Sequence, residues 1–263
     1  MTENLNFKIP NLPSTKPTLQ LGDENFIQDL VSDRMECTVE QIKKMAREKN
    51  LISMLRSEEK LIILIDIVSF SKNDSKRQFA NIFVFQNYVR SFIFSRRFSF
   101  KKSVEIENFI PTGDGCYMIA EKCEPHVAIN FLVTMISGFQ SLKDFDDNPF
   151  SIRASALIGE CIPFMDLAHH KNFVGEGMNE AERILSSGRQ RLEEKFMDEG
   201  SSEDEAKMKS KNSLFLGESL YGRSKSLNLK KIIESEEHLL LNDVTDKHGK
   251  VRDVLVLHSI QEK

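Results

Sequence analysis

The sequence predicts an α+β fold whose core is a ferredoxin-like split βαββαβ arrangement, with a helical arm before it. Three observations predict this. Leu61 to Ile67 is a continuous apolar run rich in isoleucine, the signature of a strand buried on both faces. Two long segments with helical apolar spacing each lead into further strand-like stretches. Between two of those stretches lies TGDG (112–115), a tight-hairpin signal because Asp-Gly readily takes positive φ.

Taken in order, residues 1–22 carry Pro10, Pro13 and Pro17 among polar residues and read as an extended arm. From Asp23 the spacing of Phe26, Ile27, Leu30 and Val31 predicts a helix, and Thr38 caps a second one toward Met54. The arm and its helices occupy 1–57, and the main domain occupies 58–263. After the strand at 61–67, Asp74 and Ser75 start a helix with Phe79, Ile82, Phe83 and Val89 as its apolar stripe. Val104–Ile110 and Cys116–Ala120 read as the hairpin strands. Ala128, Leu132, Met135 and Phe139 mark the second helix, and Ile152–Cys161 a fourth strand. Gly177–Ser187 reads as another helix. Residues 189–211, dense in charge of both signs, read as a solvated helical insertion. A turn, Lys247-His248-Gly249-Lys250, precedes a last strand in VRDVLVLHSI.

A hydrophobic content of 40%, 29% charged residues and a net charge of −4 describe a globular protein without the basic surface that nonspecific nucleic-acid binding needs. No secretory signal and no membrane-length apolar run is present, so a cytoplasmic protein is expected. Cys37, Cys116, Cys123 and Cys161 lack CxxC spacing and read as free thiols; Cys116 and Cys123 are expected to be small buried hydrophobes. His169 and His170 read as a solvated turn. No Walker A pattern or Rossmann glycine fingerprint occurs.

The chemistry-bearing residues fall in three places. Asp66 stands where the buried strand runs out, and Asp114 at the tip of the hairpin. First and third strands are neighbours in a split βαββαβ sheet, so the two carboxylates approach each other. Like charges that close call for cations between them. Asn179 and Arg183, four apart on a helix, project from one face, and the arginine fork suits phosphate oxygens. Paired carboxylates and an arginine suit phosphoryl chemistry on a nucleoside triphosphate.

An apolar strand ending in Asp and IVSF, a GDG hairpin, then Gly175-xxx-Asn179-xxx-Arg183 resembles the class III nucleotidyl cyclases over residues 58–188. These enzymes turn a nucleoside triphosphate into a 3′,5′-cyclic monophosphate and pyrophosphate. The resemblance implies that Asp66, Asp114 and the Ile67 carbonyl hold two divalent cations, Mg²⁺ or Mn²⁺. It implies that backbone at Phe70 and Ser71 meets the triphosphate, that Asn179 orients the ribose, and that Arg183 meets the transition state. It implies a homodimer in which Asn179 and Arg183 reach the partner's metals. A basic residue near the last strand usually contacts the triphosphate; Lys247, Lys250 and His248 are all candidates.

The base-selecting positions depart from the purine pattern. Where adenylate cyclases place Lys and guanylate cyclases Glu stands Ile110, and Asn172 replaces the usual second carboxylate. An aliphatic side chain cannot hydrogen-bond a base edge. The chain is in this respect similar to the stand-alone uridylate and cytidylate cyclases of Pycsar anti-phage systems, which implies UTP or CTP as substrate and a downstream effector that senses the product. Two alternatives stay open: a purine cyclase with relaxed base selection, and an inactive homologue that binds nucleotide as a sensor.

Overall fold

The computed structural model describes residues 56–94, 104–140, 142, 151–166, 170–222 and 227–260. The expected arm and helices before residue 56 and Cys37 lie outside the described residues.

The first strand, β1 (Glu58–Ile67), is buried along almost its whole length, as its apolar run requires. A 3₁₀ turn (Phe70–Lys72) leads into helix α1 (Ser75–Phe94). The hairpin β2 (Ile106–Pro111) and β3 (Gly115–Ala120) precedes α2 (Pro125–Gln140), and β4 (Ile152–Met165) completes the βαββαβ unit. These strands stand in the order β2-β3-β1-β4, all antiparallel, so first and third strands are neighbours as the topology demands.

The sheet is larger than this unit. A short β5 (Lys171–Val174) pairs with the end of β4. Helix α3 (Glu176–Asp198) and the short α4 (Glu203–Lys209) cross to β6 (Leu214–Gly217), which joins β4 in parallel. Helices α5 (Glu218–Tyr221) and α6 (Leu227–Ser235) follow. Strands β7 (Glu237–Thr245) and β8 (Val251–His258) then extend the sheet beyond β6.

Apolar side chains fill both faces of the sheet. Leu61, Ile63, Ile65 and Ile67 turn one way, onto α1 and α2. Ile62 and Leu64 turn the other way, onto α3. The alternation is the period of a strand, and burial on both sides explains why β1 lacks polar residues.

Three sequence readings need correction. On α1, Phe79 and Phe83 are 71% and 60% exposed and stack on one another, while Asn81, Phe85, Val89 and Phe92 face inward. Val89 and, in part, Ile82 do face the core as expected, whereas Phe79 and Phe83 do not, because phenylalanine at helical spacing recurs on two sides of this helix. Residues 189–211 are helical, as read, but they are not a wholly solvated insertion. They are the second half of α3 and the whole of α4, and Leu192, Phe196 and Ala206 are buried against the sheet. Ser202 caps α4 through a reciprocal capping box with Glu205. Cys123 is only partly buried, whereas Cys116 and Cys161 are buried free thiols.

Candidate active site

The site grows from the register of β1. Asp66 faces Gly115 of β3 on one side and Arg153 of β4 on the other. The Ile67 N–H donates to the Asp114 carbonyl at 2.9 Å, which pins the hairpin tip to the end of β1. Gly113, at φ 93°, makes the turn; the positive φ falls there and not at Asp114-Gly115. Gly115 instead lies in β3, where a Cβ would fall onto the Ile65 carbonyl. The two glycines thus flank Asp114 for different reasons.

Asp66 and Asp114 open into one cavity of about 390 Å³ with Thr112, Tyr117, Arg153, Glu182, Ser186 and Arg189 on its walls. Arg153 donates to the Asp66 Oδ2 twice, from Nε at 2.8 Å and from its terminal nitrogen at 2.6 Å. The Oδ1 atom accepts no hydrogen bond from a described residue. Burial raises the Asp66 carboxyl above its ordinary range, Arg153 opposes that, and the nearby Asp114 charge adds to it. Thr112 Oγ1 lies 3.4 Å from the Asp114 Oδ1. Among the described residues no group of three or more His, Cys, Asp or Glu side chains could hold a metal unaided. A pair of carboxylates that keeps the Asp66 Oδ1 and the Asp114 Oδ2 free of bonds to described residues fits a Mg²⁺ or Mn²⁺ site that takes its remaining ligands from water and phosphate.

Ile67 turns its side chain into the core, which leaves its backbone as the part able to meet a cation. In the 3₁₀ turn, the Lys72 and Asn73 N–H groups bond back to Ser69 and Phe70. Phe70 and Ser71 stand earlier in the turn, where N–H groups have no acceptor within it. Phe70 packs partly on the core and Ser71 is exposed.

Asn179 and Arg183 line a second cavity of about 630 Å³ on α3, together with Lys247 and His248. Glu182, Ser186 and Arg189 border both cavities, so the two lie side by side along one helix. Helix α3 is seated by Ser155 Oγ donating to the Ala181 carbonyl at 2.7 Å and by Tyr117 donating to that of Met178 at 3.2 Å. Arg183 pairs with Glu176 at 2.6 Å and lies 3.6 Å from Asp246. Asn179 also bonds Glu176, whose carboxyl is held below its ordinary range, chiefly by Arg183. Asp246 is buried; it accepts the His248 and Lys250 N–H groups and a bond from Arg252 at 2.9 Å. One carboxylate therefore shapes the β7–β8 turn and braces Arg183. Lys250 turns away from this cavity to Glu180, at 3.0 Å. Lys247 and His248 thus line the cavity of Arg183, while Lys250 lies outside it yet 3.8 Å from Glu176, the carboxylate that Arg183 holds.

The two base-position candidates lie on β2 and β5. Those strands are joined by Asn108, whose amide donates to the Lys171 carbonyl, and by Lys171 pairing with Glu107 at 2.9 Å. Ile110 packs partly against the α3-side core. The Asn172 Oδ1 accepts the Phe173 N–H at 2.7 Å, which leaves the Nδ2 donor unspent. Lys60 is buried beneath this region and is neutralised by Glu58, Glu107 and Glu121. Residues 167–169, with His169, lie outside the described residues; His170 is exposed, as a solvated turn predicts.

Sequence reasoning missed Arg153, Arg189, Glu176 and Asp246. Arg153 sits one residue inside the predicted fourth strand, and counting the antiparallel register from Asp66 would have reached it.

No protein-family model matches the chain, and no curated protein does. Solved structures do. The catalytic core of a rhodopsin-guanylyl cyclase with converted specificity, in complex with ATPαS, superposes with a TM-score of 0.50 at 16% identity, covering 76% of this chain and 96% of that one. A bacterial light-regulated adenylyl cyclase gives 0.52 at 16% identity; the match covers 85% of this chain and 64% of that protein, under two thirds of its length. At such identities the likeness is one of fold: the chain has the α+β fold of a nucleotidyl cyclase catalytic domain.

Proposed function

We propose that this protein is a metal-dependent nucleotidyl cyclase, active as a homodimer, that converts a nucleoside triphosphate to its 3′,5′-cyclic monophosphate and pyrophosphate. The observation that carries this reading is the pair Asp66 and Asp114, which the end of β1 and the hairpin tip bring to one cavity, with Arg153 of β4 bonded to Asp66. Two divalent cations bound there would lower the pKa of the attacking 3′-hydroxyl and neutralise charge on the phosphates. Asp66 and Asp114 hold that charge in place, and the N–H groups at Phe70 and Ser71 face the triphosphate. Asn179 of the partner orients the ribose. Its Arg183 leaves Glu176 to meet charge developing on the α-phosphate, and Lys247 meets the outer phosphates. A second cavity displaced along α3 supports a division of labour between two copies, because one chain's Arg183 lines a different cavity from its own carboxylates.

For the base we propose UTP first and CTP second, with the product read by a downstream effector in an anti-phage system. Ile110 offers no polar handle to a purine. With its acceptor engaged by Phe173, Asn172 presents a donor, which suits the O4 acceptor of uracil better than the N4 amine of cytosine. The purine reading has its own support in the two solved folds, since their names are those of a guanylyl cyclase and an adenylyl cyclase. Incubating the protein with each of the four triphosphates and Mn²⁺, and identifying products by mass spectrometry, separates these readings. A pyrimidine triphosphate is expected to be cyclised at least roughly tenfold faster than ATP or GTP, about 1.4 kcal/mol of transition-state binding. ATP or GTP as the best substrate favours the purine reading. Nucleotide binding without any cyclic product favours an inactive sensor.

A further inference from the structure

Arg189 stands out among the arginines around the two cavities. The other two, Arg153 and Arg183, are held by Asp66 and Glu176. The Arg189 Nε is buried and has no hydrogen-bond partner, and its guanidinium forms no ion pair with a described residue. The residue as a whole is only half-buried and its charge is felt by Asp66, but a buried donor without an acceptor is costly, and a ligand that supplies the acceptor relieves that cost. Its position borders both cavities, between the metal carboxylates and the Asn179–Arg183 face. The walls around it carry Asp66, Asp114 and Glu182, so a bare anion would be repelled. An anion that brings divalent cations satisfies both the carboxylates and the guanidinium. A metal-bound polyphosphate has that chemistry.

We propose that Arg189 is a phosphate-binding residue of the cyclase site, taking a β- or γ-phosphate oxygen of the triphosphate whose metals sit on Asp66 and Asp114 of the same protomer. The inference rests on the nucleotidyl cyclase reading for its substrate. Its own content is the binding of a metal–polyphosphate by this side chain. The planar fork of arginine donors fits a phosphate face, which lysine meets only as a point charge.

The test uses the full chain, with Mn²⁺ and inorganic tripolyphosphate as the probe in titration calorimetry. Arg189→Ala and Arg189→Lys are compared with the wild type, alongside Tm and the KM and kcat for the best nucleotide. Arg189→Ala is expected to weaken tripolyphosphate binding roughly tenfold or more, a charge-assisted hydrogen bond's worth. KM should rise by a similar factor with a smaller change in kcat. Arg189→Lys should recover part of the loss, and Tm should hold, because the half-buried Arg189 side chain makes no hydrogen bond or ion pair with a described residue that the fold would lose. Unchanged tripolyphosphate binding in Arg189→Ala overturns the inference, as does a wild type that does not bind the probe or a variant that loses only Tm. A wild type that binds Mn²⁺–tripolyphosphate through Arg189 yet cyclises none of the four nucleotides leaves this inference standing and removes the cyclase reading.

Discussion

Each charged side chain near the site is defined by what already holds it. Asp66 gives one oxygen to Arg153 and keeps the other open. Replacing Asp66 or Asp114 with Asn removes a cation-holding charge and little volume. Turnover with Mn²⁺ should fall by roughly a hundredfold or more in each variant, with Tm held in Asp114→Asn and lowered in Asp66→Asn, which leaves Arg153 without its charge partner. Near-normal activity in either one removes the paired-metal assignment. The buried Lys60 cluster makes a separate prediction about pH. Burial alone would raise the Glu107 carboxyl, but hydrogen bonds with Glu121, Lys60 and Lys171 outweigh it and bring it from 4.5 to about 2. A depressed carboxyl stabilises the fold above its unfolded pKa, and that stability is lost as pH falls from about 4.5 through about 2. Glu107→Gln should therefore flatten the acid limb of a plot of denaturation midpoint against pH in that window. An unaltered limb would show that other carboxylates set it.

Among the elements, α3 carries the most. Its first turn holds Gly177, where a Cβ would meet Glu160 O at 2.9 Å and a methyl of Ile62 at 2.5 Å. Gly177→Ala should lift the helix from the sheet, lowering stability by about 1–3 kcal/mol in denaturant unfolding. Because Asn179 and Arg183 ride on the first turns, activity should fall beyond what the folded fraction explains. An equally stable and active variant would mean that the helix seats elsewhere. The start of α3 could be read in the sequence because a glycine precedes an apolar stripe at helical spacing. Its end could not, since after Gly188 only Leu192 and Phe196 keep the stripe amid charge. Strand β1 declared itself by having both faces buried. Strands β5 and β6 are four residues each, too short to show a period, and β7 is mostly exposed. Asp66, Asp114, Asn179 and Arg183 were legible as local motifs. Arg153, Glu176 and Asp246 act through partners set by register and tertiary approach, which local spacing does not encode.

For the whole molecule, the decisive question is how two copies share the work. An inactive Asp66→Asn chain mixed with an inactive Arg183→Ala chain should regain activity, since some heterodimers then carry one intact site. At equal amounts with free exchange, about half the molecules are mixed dimers with one of two sites intact, so recovery of roughly a quarter of wild-type activity is expected. Proven exchange without recovery would place all the groups of a site within one chain.

The parallel pairing of β4 with β6 also has a meaning on the ribosome. Ala154 of β4 meets Leu214 of β6, sixty residues later in the chain. At about 5–20 residues per second, the outer edge of β4 waits roughly 3–12 seconds for its cover while the helices between are translated. During that interval the nascent chain offers an unpaired, apolar strand to any neighbour emerging beside it. Crowded polysomes are where this protein is most exposed to misassembly, and slower initiation, which spaces the ribosomes apart, should raise the yield of soluble product without altering the finished fold.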